Sequence, residues 1–351
     1  MVEDARDLAD IFRRLIATTG PISLMQFMGE SNARYYAGQE AIGAGGDFVT
    51  APEISQMFGE LVGLWLADIW VRKGRPSPVH YVELGPGRGT LARDVRRAMA
   101  SVSLSPDMHL IETSARMRQQ QCALLPGVIH HDDLASVPDT GPILLVANEF
   151  LDALPVRQLV RTKTGWREIM VANQGDSFVE VPGQRPMDSA VPEARRDAPL
   201  GTVLETCAGA ATVVEEVAAR LVKQGGAALF IDYGYTDGRS GSSLQAVRGH
   251  EKLLPLSAPG KADLSAHVDF ATLAQVAQAR GCQWFGTITQ SEFLTALGIH
   301  ARTNALSKAS PQNSEALKSA RDRLIAPEEM GTLFKVLALA APDWPTGAAF
   351  G

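Results

Sequence analysis

Residues 83–89 read Glu-Leu-Gly-Pro-Gly-Arg-Gly, an acid followed by three glycines at alternate positions. Glycine adopts backbone angles that other residues avoid, and it lets a ligand approach without a Cβ in the way. Residues 79–84 ahead of the glycines read as a short buried strand. Residues 90–99 behind them read as a helix with Leu91, Val95 and Ala98 on one face. Free N–H groups at the start of that helix point into the same space. A strand, a glycine loop and a helix in this order can hold a nucleoside-type cofactor. Without a ligand, the same order is a tight turn between strand and helix.

More acids follow at the expected tips of later strands. They are Glu112 after residues 108–111, Asp132 and Asp133 after 127–130, Glu149 and Asp152 after 143–147, and Asp232 after 227–231. A carboxylate at Glu112 can accept from both hydroxyls of a ribose. Glu149 and Asp152 can flank a cation. Paired hydrogen bonds to an arginine guanidinium would localise its charge away from one nitrogen and leave that nitrogen nucleophilic. The competing use of these two acids is to cap a helix after the strand.

Spacing narrows the cofactor. Dinucleotide loops run Gly-x-Gly-x-x-Gly and phosphate loops end in Gly-Lys-Ser/Thr; neither is present. Acid-x-Gly-x-Gly-x-Gly, with Glu112 ending the next strand, resembles the first motif of class I S-adenosylmethionine (SAM) methyltransferases. SAM carries a sulfonium and an ammonium, which suit an acidic rim. Methyl transfer needs a nucleophile aligned with the S–CH3 bond and water excluded. Such enzymes place acceptor-binding residues after the fourth strand, where Asn148-Glu149-Phe150-Leu151-Asp152 stands. This is not Asn-Pro-Pro-Tyr/Phe, the loop of enzymes that methylate amides or base amines.

The elements that must position these residues alternate between strand and helix after residue 79, which implies an α/β fold: a mostly parallel sheet with helices on both faces. Ligands in such sheets lie beyond the carboxyl ends of the strands, where strand order reverses. Ahead of the core, residues 4–18 read as an amphipathic helix stopped by Gly20-Pro21, and 22–28 as a second short helix. A flexible run covers 38–46. Thr50 and Glu53 have the spacing of a capping box for one helix reaching residue 71. Residues 156–181 alternate and read as an antiparallel hairpin excursion, 182–199 as a loop, and 205–223 as a helix. Residues 235–266 read as a long irregular insertion. Helices at 269–280, 291–297 and 315–325 and strands at 282–288 and 333–340 complete the chain. Residues 1–75 thus form a helical segment covering the cofactor site. Residues 76–351 form the core, with insertions at about 156–200 and 235–266.

Bulk properties limit the function classes. The 351 residues are 45% apolar and 21% charged, ordinary for a soluble globular protein, with a formal charge of −6. That charge argues against a nucleic-acid binder and fits a cationic acceptor. Cys122, Cys207 and Cys282 are odd in number and far apart, so no disulfide framework is expected. His130 and His131 have no third ligand at metal spacing, and no metal is expected. No apolar run reaches membrane-spanning length. Residues 3–10 hold four acids and resemble no targeting peptide. A bacterial cytoplasmic location is expected.

The run 46–60 (Gly-Asp-Phe-Val-Thr-Ala-Pro-Glu-Ile-Ser-Gln-Met-Phe-Gly-Glu), the glycine loop, and Asn148 through Pro155 resemble the MidA family. Residues 165–168, 232–234, 262–264, 268–270 and 330–331 match too, so the resemblance spans nearly the whole chain. Members are SAM-dependent protein-arginine methyltransferases, and the mitochondrial ones act as assembly factors of respiratory complex I. The resemblance implies a class I methyltransferase fold. It implies that Gly85, Gly87, Gly89, Glu112 and Asp133 hold SAM, that the turn from Thr50 to Ser55 closes over it, and that Glu149 faces the acceptor. From their places at the strand tips, Glu83 is expected to join the cofactor site and Asp152 the catalytic one. It implies a protein substrate, an arginine on a complex I subunit. Arg157 departs from the family, which commonly has His there. Two alternatives stay open: a small-molecule methyltransferase, and a non-catalytic SAM-binding assembly factor. The N-terminal helices and the hairpin each offer a surface for a homodimer.

Overall fold

The computed structural model describes residues 7–38 and 49–351. The run expected to be flexible at 38–46 therefore lies, apart from Gly38, outside the described residues.

Seven strands form the main sheet: β1 (His80–Leu84), β2 (Asp107–Ile111), β3 (Ile129–His131), β4 (Ile143–Asn148), β5 (Gly226–Tyr235), β6 (Gln283–Thr289) and β7 (Phe334–Ala340). They lie in the order β3-β2-β1-β4-β5-β7-β6. β1 through β5 pair in parallel, and β7 is antiparallel to both neighbours. The short strand Val268–Asp269 pairs with the end of β5. β1 and β4 are buried along their whole length, which is why they read as continuous runs rather than alternating ones. Strand order reverses between β1 and β4, so the crevice beyond their carboxyl ends is the natural ligand position.

Alternate side chains feed two cores. Tyr81, Leu144, Val146, Leu229 and Ile231 pack on one face against helices Gln56–Arg72 and Thr90–Ala100. Val82, Leu84, Leu145 and Phe230 pack on the other face against Ala208–Gln224 and Phe270–Ala279. Each fully buried side chain of this size stabilises the fold by about 1.5–3 kcal/mol. Glu60, buried in Gln56–Arg72, takes Arg97 at 3.0 Å and Arg302 at 2.8 Å and ties three helices together.

The insertions are more ordered than the sequence predicts. The expected helix at 22–28 is a two-residue strand, Ile22–Ser23, followed by the longer helix Leu24–Gly38. The expected hairpin is three strands, Arg157–Thr162, Gly165–Gln174 and Ser177–Pro186. The last of these runs on through residues expected to be loop. Among the described residues it pairs only with Gly165–Gln174, and such an edge position tolerates Pro182. Ile22–Ser23 and Val203–Thr206 complete a five-stranded antiparallel sheet. Ala208–Gln224 consequently starts later than expected. Residues 235–266 contain a three-stranded sheet, Glu251–Leu253, Gln245–Arg248 and Asp263–Ser265. Helix Ile299–Ala309 had no counterpart in the sequence reading. Phe12, Phe27, Met28, Val171, Leu244 and Leu264 form a further core that joins the N-terminal helices to both insertions.

Candidate functional site

β1 delivers Glu83 and then turns. Gly85, Gly87 and Gly89 have φ of 62°, 52° and 84°, all in the left-handed region that glycine favours. A Cβ on Gly85 would stand 2.7 Å from Phe150 Cδ2, so space as well as backbone angle selects glycine there. Gly89 is the N-cap of Thr90–Ala100 and brings no capping side chain. The N–H groups of the first turn therefore receive no bond from it. Glu83 is buried, and the Tyr81 hydroxyl donates to its Oε2 at 2.5 Å. Burial pushes its pKa up to about 8. At the tip of β2, Glu112 Oε1 accepts from the Ser114 N–H at 2.8 Å. Gln121 Nε2 donates to the Gly87 carbonyl at 2.6 Å and lies 3.5 Å from Glu112 Oε2. Gln121 thus links the two parts of the proposed cofactor wall. Partial burial raises the Glu112 pKa.

After β4 the chain turns sharply. Glu149 has φ of 50°, a strained value for a residue with a side chain. Its Oε1 accepts from the Ala51 N–H at 3.0 Å and from Asn148 Nδ2 at 3.1 Å. Asp152 is buried and hydrogen-bonds to the Tyr233 side chain. Asp232, also buried, accepts the N–H groups of Leu151 (3.0 Å), Asp152 (3.2 Å) and Tyr233 (2.9 Å), and so fixes the turn to β5. Burial pushes Glu149 and Asp152 up to about 7, and the neighbouring Glu149 adds to the rise at Asp152. Asp232 is raised further, by burial and by the two acids beside it. Among the described residues no lysine or arginine forms an ion pair with any of the three. Behind them, Asn32 bonds the carbonyls of Ala153 and Leu264, and Tyr36 donates to Asp263 at 2.5 Å. Helix Leu24–Gly38 is thereby tied to the acid cluster.

Thr50, Glu53, Glu83, Gly85, Asn148 and Glu149 border one cavity of about 40 Å³. Asp152 lies behind it, beside Asp232. Asp133 is exposed at the tip of β3, where its Oδ1 caps the short turn Leu134–Ser136 by accepting from the Ser136 N–H. The expected capping box is absent. Thr50 makes no side-chain cap, and Glu53 instead accepts from Thr90 Oγ1 at 2.5 Å, across the glycine loop. The single helix expected there is two, Ala51–Ile54 and Gln56–Arg72, because Ser55 is extended and caps the second through the Met57 N–H. No helix follows Glu149, so capping does not explain Glu149 or Asp152. Beyond Glu53 the crevice opens into a cleft of about 710 Å³, bordered by Gln56, Arg88, Arg93 and Gln120.

One residue outside the expected set bears on the cofactor. Asn148 Oδ1 is buried with no hydrogen-bond partner, at the wall of the glycine-loop cavity. Buried polar atoms are rarely left unpaired, and this acceptor matches an ammonium. With the open glycine backbone and the Glu112 carboxylate, the residues present fit SAM. Its position as the last residue of the fourth strand was the available signal.

Comparison with known proteins agrees. A family model described as "Putative S-adenosyl-L-methionine-dependent methyltransferase" matches residues 61–288. The chain is 35% identical to the mitochondrial protein arginine methyltransferase NDUFAF7 of Danio rerio, over 92% of this chain and 84% of that protein. It is 34% identical to the human protein of that name, over 92% and 81%. A crystal structure from Burkholderia thailandensis, bound to S-adenosyl-homocysteine, has a TM-score of 0.84 at 29% identity and covers 98% of this chain and 94% of that one. S-adenosyl-homocysteine is what SAM becomes once its methyl has left. The chain belongs to the family of S-adenosyl-L-methionine-dependent methyltransferases.

Proposed function

We propose that the protein methylates a nitrogen of an arginine side chain in a protein substrate. The observation that carries this reading is the half-buried, desolvated carboxylate of Glu149, which shares a wall with the glycine loop and forms no ion pair with a lysine or arginine among the described residues. Glu83, Gly85, Gly87, Gly89, Glu112, Asp133 and Thr50 hold SAM, with Asn148 Oδ1 taking its ammonium. Bound there, SAM supplies an electrophilic methyl group. Glu149, with Asp152 behind it, accepts N–H bonds from the guanidinium and draws its positive charge toward the carboxylates. The nitrogen left outside these bonds is the nucleophile. As that nitrogen gains carbon the guanidinium gives up one proton, and Glu149, which accepts one of its N–H groups and has a pKa of about 7, is matched to receive it at neutral pH. Asp232 holds the turn that carries both acids. The Glu53–Thr90 bond keeps the Thr50 turn over the loop and excludes water.

The open cleft beside Pro52–Gln56 supports a polypeptide acceptor over a small molecule enclosed in a pocket. By the family resemblance, the target is an arginine on a respiratory complex I subunit; the three scattered cysteines and the acidic first ten residues support a bacterial cytoplasmic location. Incubation with labelled SAM and complex I subunits from the same cell tests this: label is expected on one arginine. Absence of label on any arginine overturns the reading. If Glu149→Gln abolishes methylation while complex I still assembles, the chain is a scaffold that needs SAM only as a ligand.

A further inference from the structure

The sheet carries a second cluster of chemistry that methyl transfer does not use. His80 opens β1, His109 lies within β2 and His131 closes β3, so three imidazoles cross three adjoining strands. His80 Nδ1 stands 3.1 Å from His109 Nε2, and His109 Nδ1 stands 2.8 Å from His131 Nε2.

Both ends of this row fix where the protons sit. His80 Nε2 is 2.7 Å from the Thr140 carbonyl oxygen. A carbonyl only accepts, so Nε2 carries the proton and Nδ1 presents a lone pair. At the other end, Ser136 Oγ donates its proton to the Asp133 carbonyl at 2.9 Å. It must then accept from His131 Nδ1, 3.1 Å away. That leaves a lone pair on His131 Nε2, which takes the proton of His109 Nδ1. His109 Nε2 is left as a second lone pair, facing the first across 3.1 Å. Two acceptors at that separation need a positive charge between them.

Asp107 supplies the third side. Its Oδ2 lies 3.8 Å from His80 Nδ1, and the three ligand atoms all fall within 4.8 Å of one another. We propose that His80, Asp107 and His109 form a binding site for one divalent transition-metal ion of the Zn2+ class. Two nitrogens bound to zinc at about 2.0–2.1 Å in a tetrahedron lie roughly 3.3 Å apart, close to the separation seen. The Asp107 side chain is exposed and free to swing in. The solvent side it faces leaves the fourth position to water. Two imidazoles with one carboxylate favour Zn2+, Co2+ or Ni2+ over Mg2+ or Ca2+. The second shell is already oriented, because Thr140 and His131 hold the outer nitrogens of the two ligand rings. In the metal-free protein a proton fills the gap between the two ligand nitrogens, and the ion displaces it on binding. The ion would staple the start of β1 to β2, on the side chains' route away from the glycine loop.

The test is titration of the full-length, tag-free protein with Co2+, read by its visible absorption, with Asp107→Asn, His109→Gln and Cys122→Ser alongside. Wild type should show one saturable tetrahedral band that Zn2+ displaces. Both ligand variants should bind at least about tenfold more weakly. Asp107 is exposed, so its variant keeps the fold even if the buried His109→Gln does not. Zn2+ should raise the melting temperature of wild type and not of Asp107→Asn. Cys122 lies 3.9 Å from His130 Nδ1 and is the competing site. A band kept in Asp107→Asn but lost in Cys122→Ser overturns the proposal. So does the absence of a saturable band, or a ring-nitrogen NMR signature of a shared proton between His80 and His109 that Zn2+ leaves unchanged.

Discussion

The cofactor loop is seven consecutive residues, Glu83 to Gly89, whereas the acid cluster beside it is gathered from across the chain. Glu149 and Asp152 come from the turn after β4, Asp232 and Tyr233 from β5, and Asn32, Tyr36 and Asp263 from an N-terminal helix and an insertion. Local backbone shape makes the first region, through three left-handed glycines and a helix start. Desolvation makes the second, and it raises the pKa of Glu149, Asp152 and Asp232. One half is thus built to admit a ligand's atoms closely, and the other to be completed by a ligand's charge.

Substitutions in each half should separate these roles. Glu149→Gln keeps shape and removes charge, so kcat/KM for the peptide acceptor should fall by about 10²–10³-fold. Affinity for S-adenosyl-homocysteine, measured by calorimetry, should change by less than about fivefold. Gly85→Ala should do the reverse. Its Cβ meets Phe150 at 2.7 Å and the backbone is left-handed, so nucleoside affinity should fall by about 10–100-fold. If both variants weaken nucleoside and peptide equally, the two regions act as one and the division is wrong.

Stability against pH sharpens the contrast. Glu149 sits at about 7 in the folded protein against an ordinary 4.5. Below about 4.5 it is protonated folded and unfolded alike, and burial costs nothing. As pH climbs from there through 7 the unfolded chain has released a proton that the folded chain still holds, so stability declines and then levels off. Glu149→Gln should therefore stabilise the protein at pH 8, by on the order of 1–3 kcal/mol in urea unfolding, and hardly at pH 4. An equal gain at both values would mean the carboxylate is not desolvated. The smallest effect should come from Thr90→Val, which cuts the Glu53 contact over the loop. It should quicken S-adenosyl-homocysteine release by about two- to fivefold in stopped flow, with peptide affinity little changed.

The same difference decides what the sequence could disclose. Glu83, the glycines and Glu112 announce themselves because strand, loop, helix and next acid follow within 30 residues, counting from Glu83 to Glu112. Alternation implied the parallel core of the main sheet, but neither its strand order nor the antiparallel β7. Glu149 and Asp152 were visible only as acids at a strand tip. The burial of Asp152 depends on Tyr233 and on the helix carrying Asn32 and Tyr36, and no spacing records those contacts. Ile22–Ser23 is too short to show a period, and it is a strand only because Val171 and Met170 lie beside it. Thr50 and Glu53 fit a local rule, but Glu53 answers to a distant partner, Thr90. The three histidines look unrelated along the chain and become neighbours only when β1, β2 and β3 pair.

β7 is the latest of the main-sheet strands in chain order and an interior one in space: it emerges after β6 yet lies between β6 and β5. Until the ribosome has delivered Phe334–Ala340, β5 presents an unpaired apolar edge, the kind of surface on which nascent chains stick to one another. Chaperone demand in the cell should therefore concentrate on the interval before that strand arrives, and a message truncated just upstream of it should yield inclusion bodies rather than a weakened enzyme.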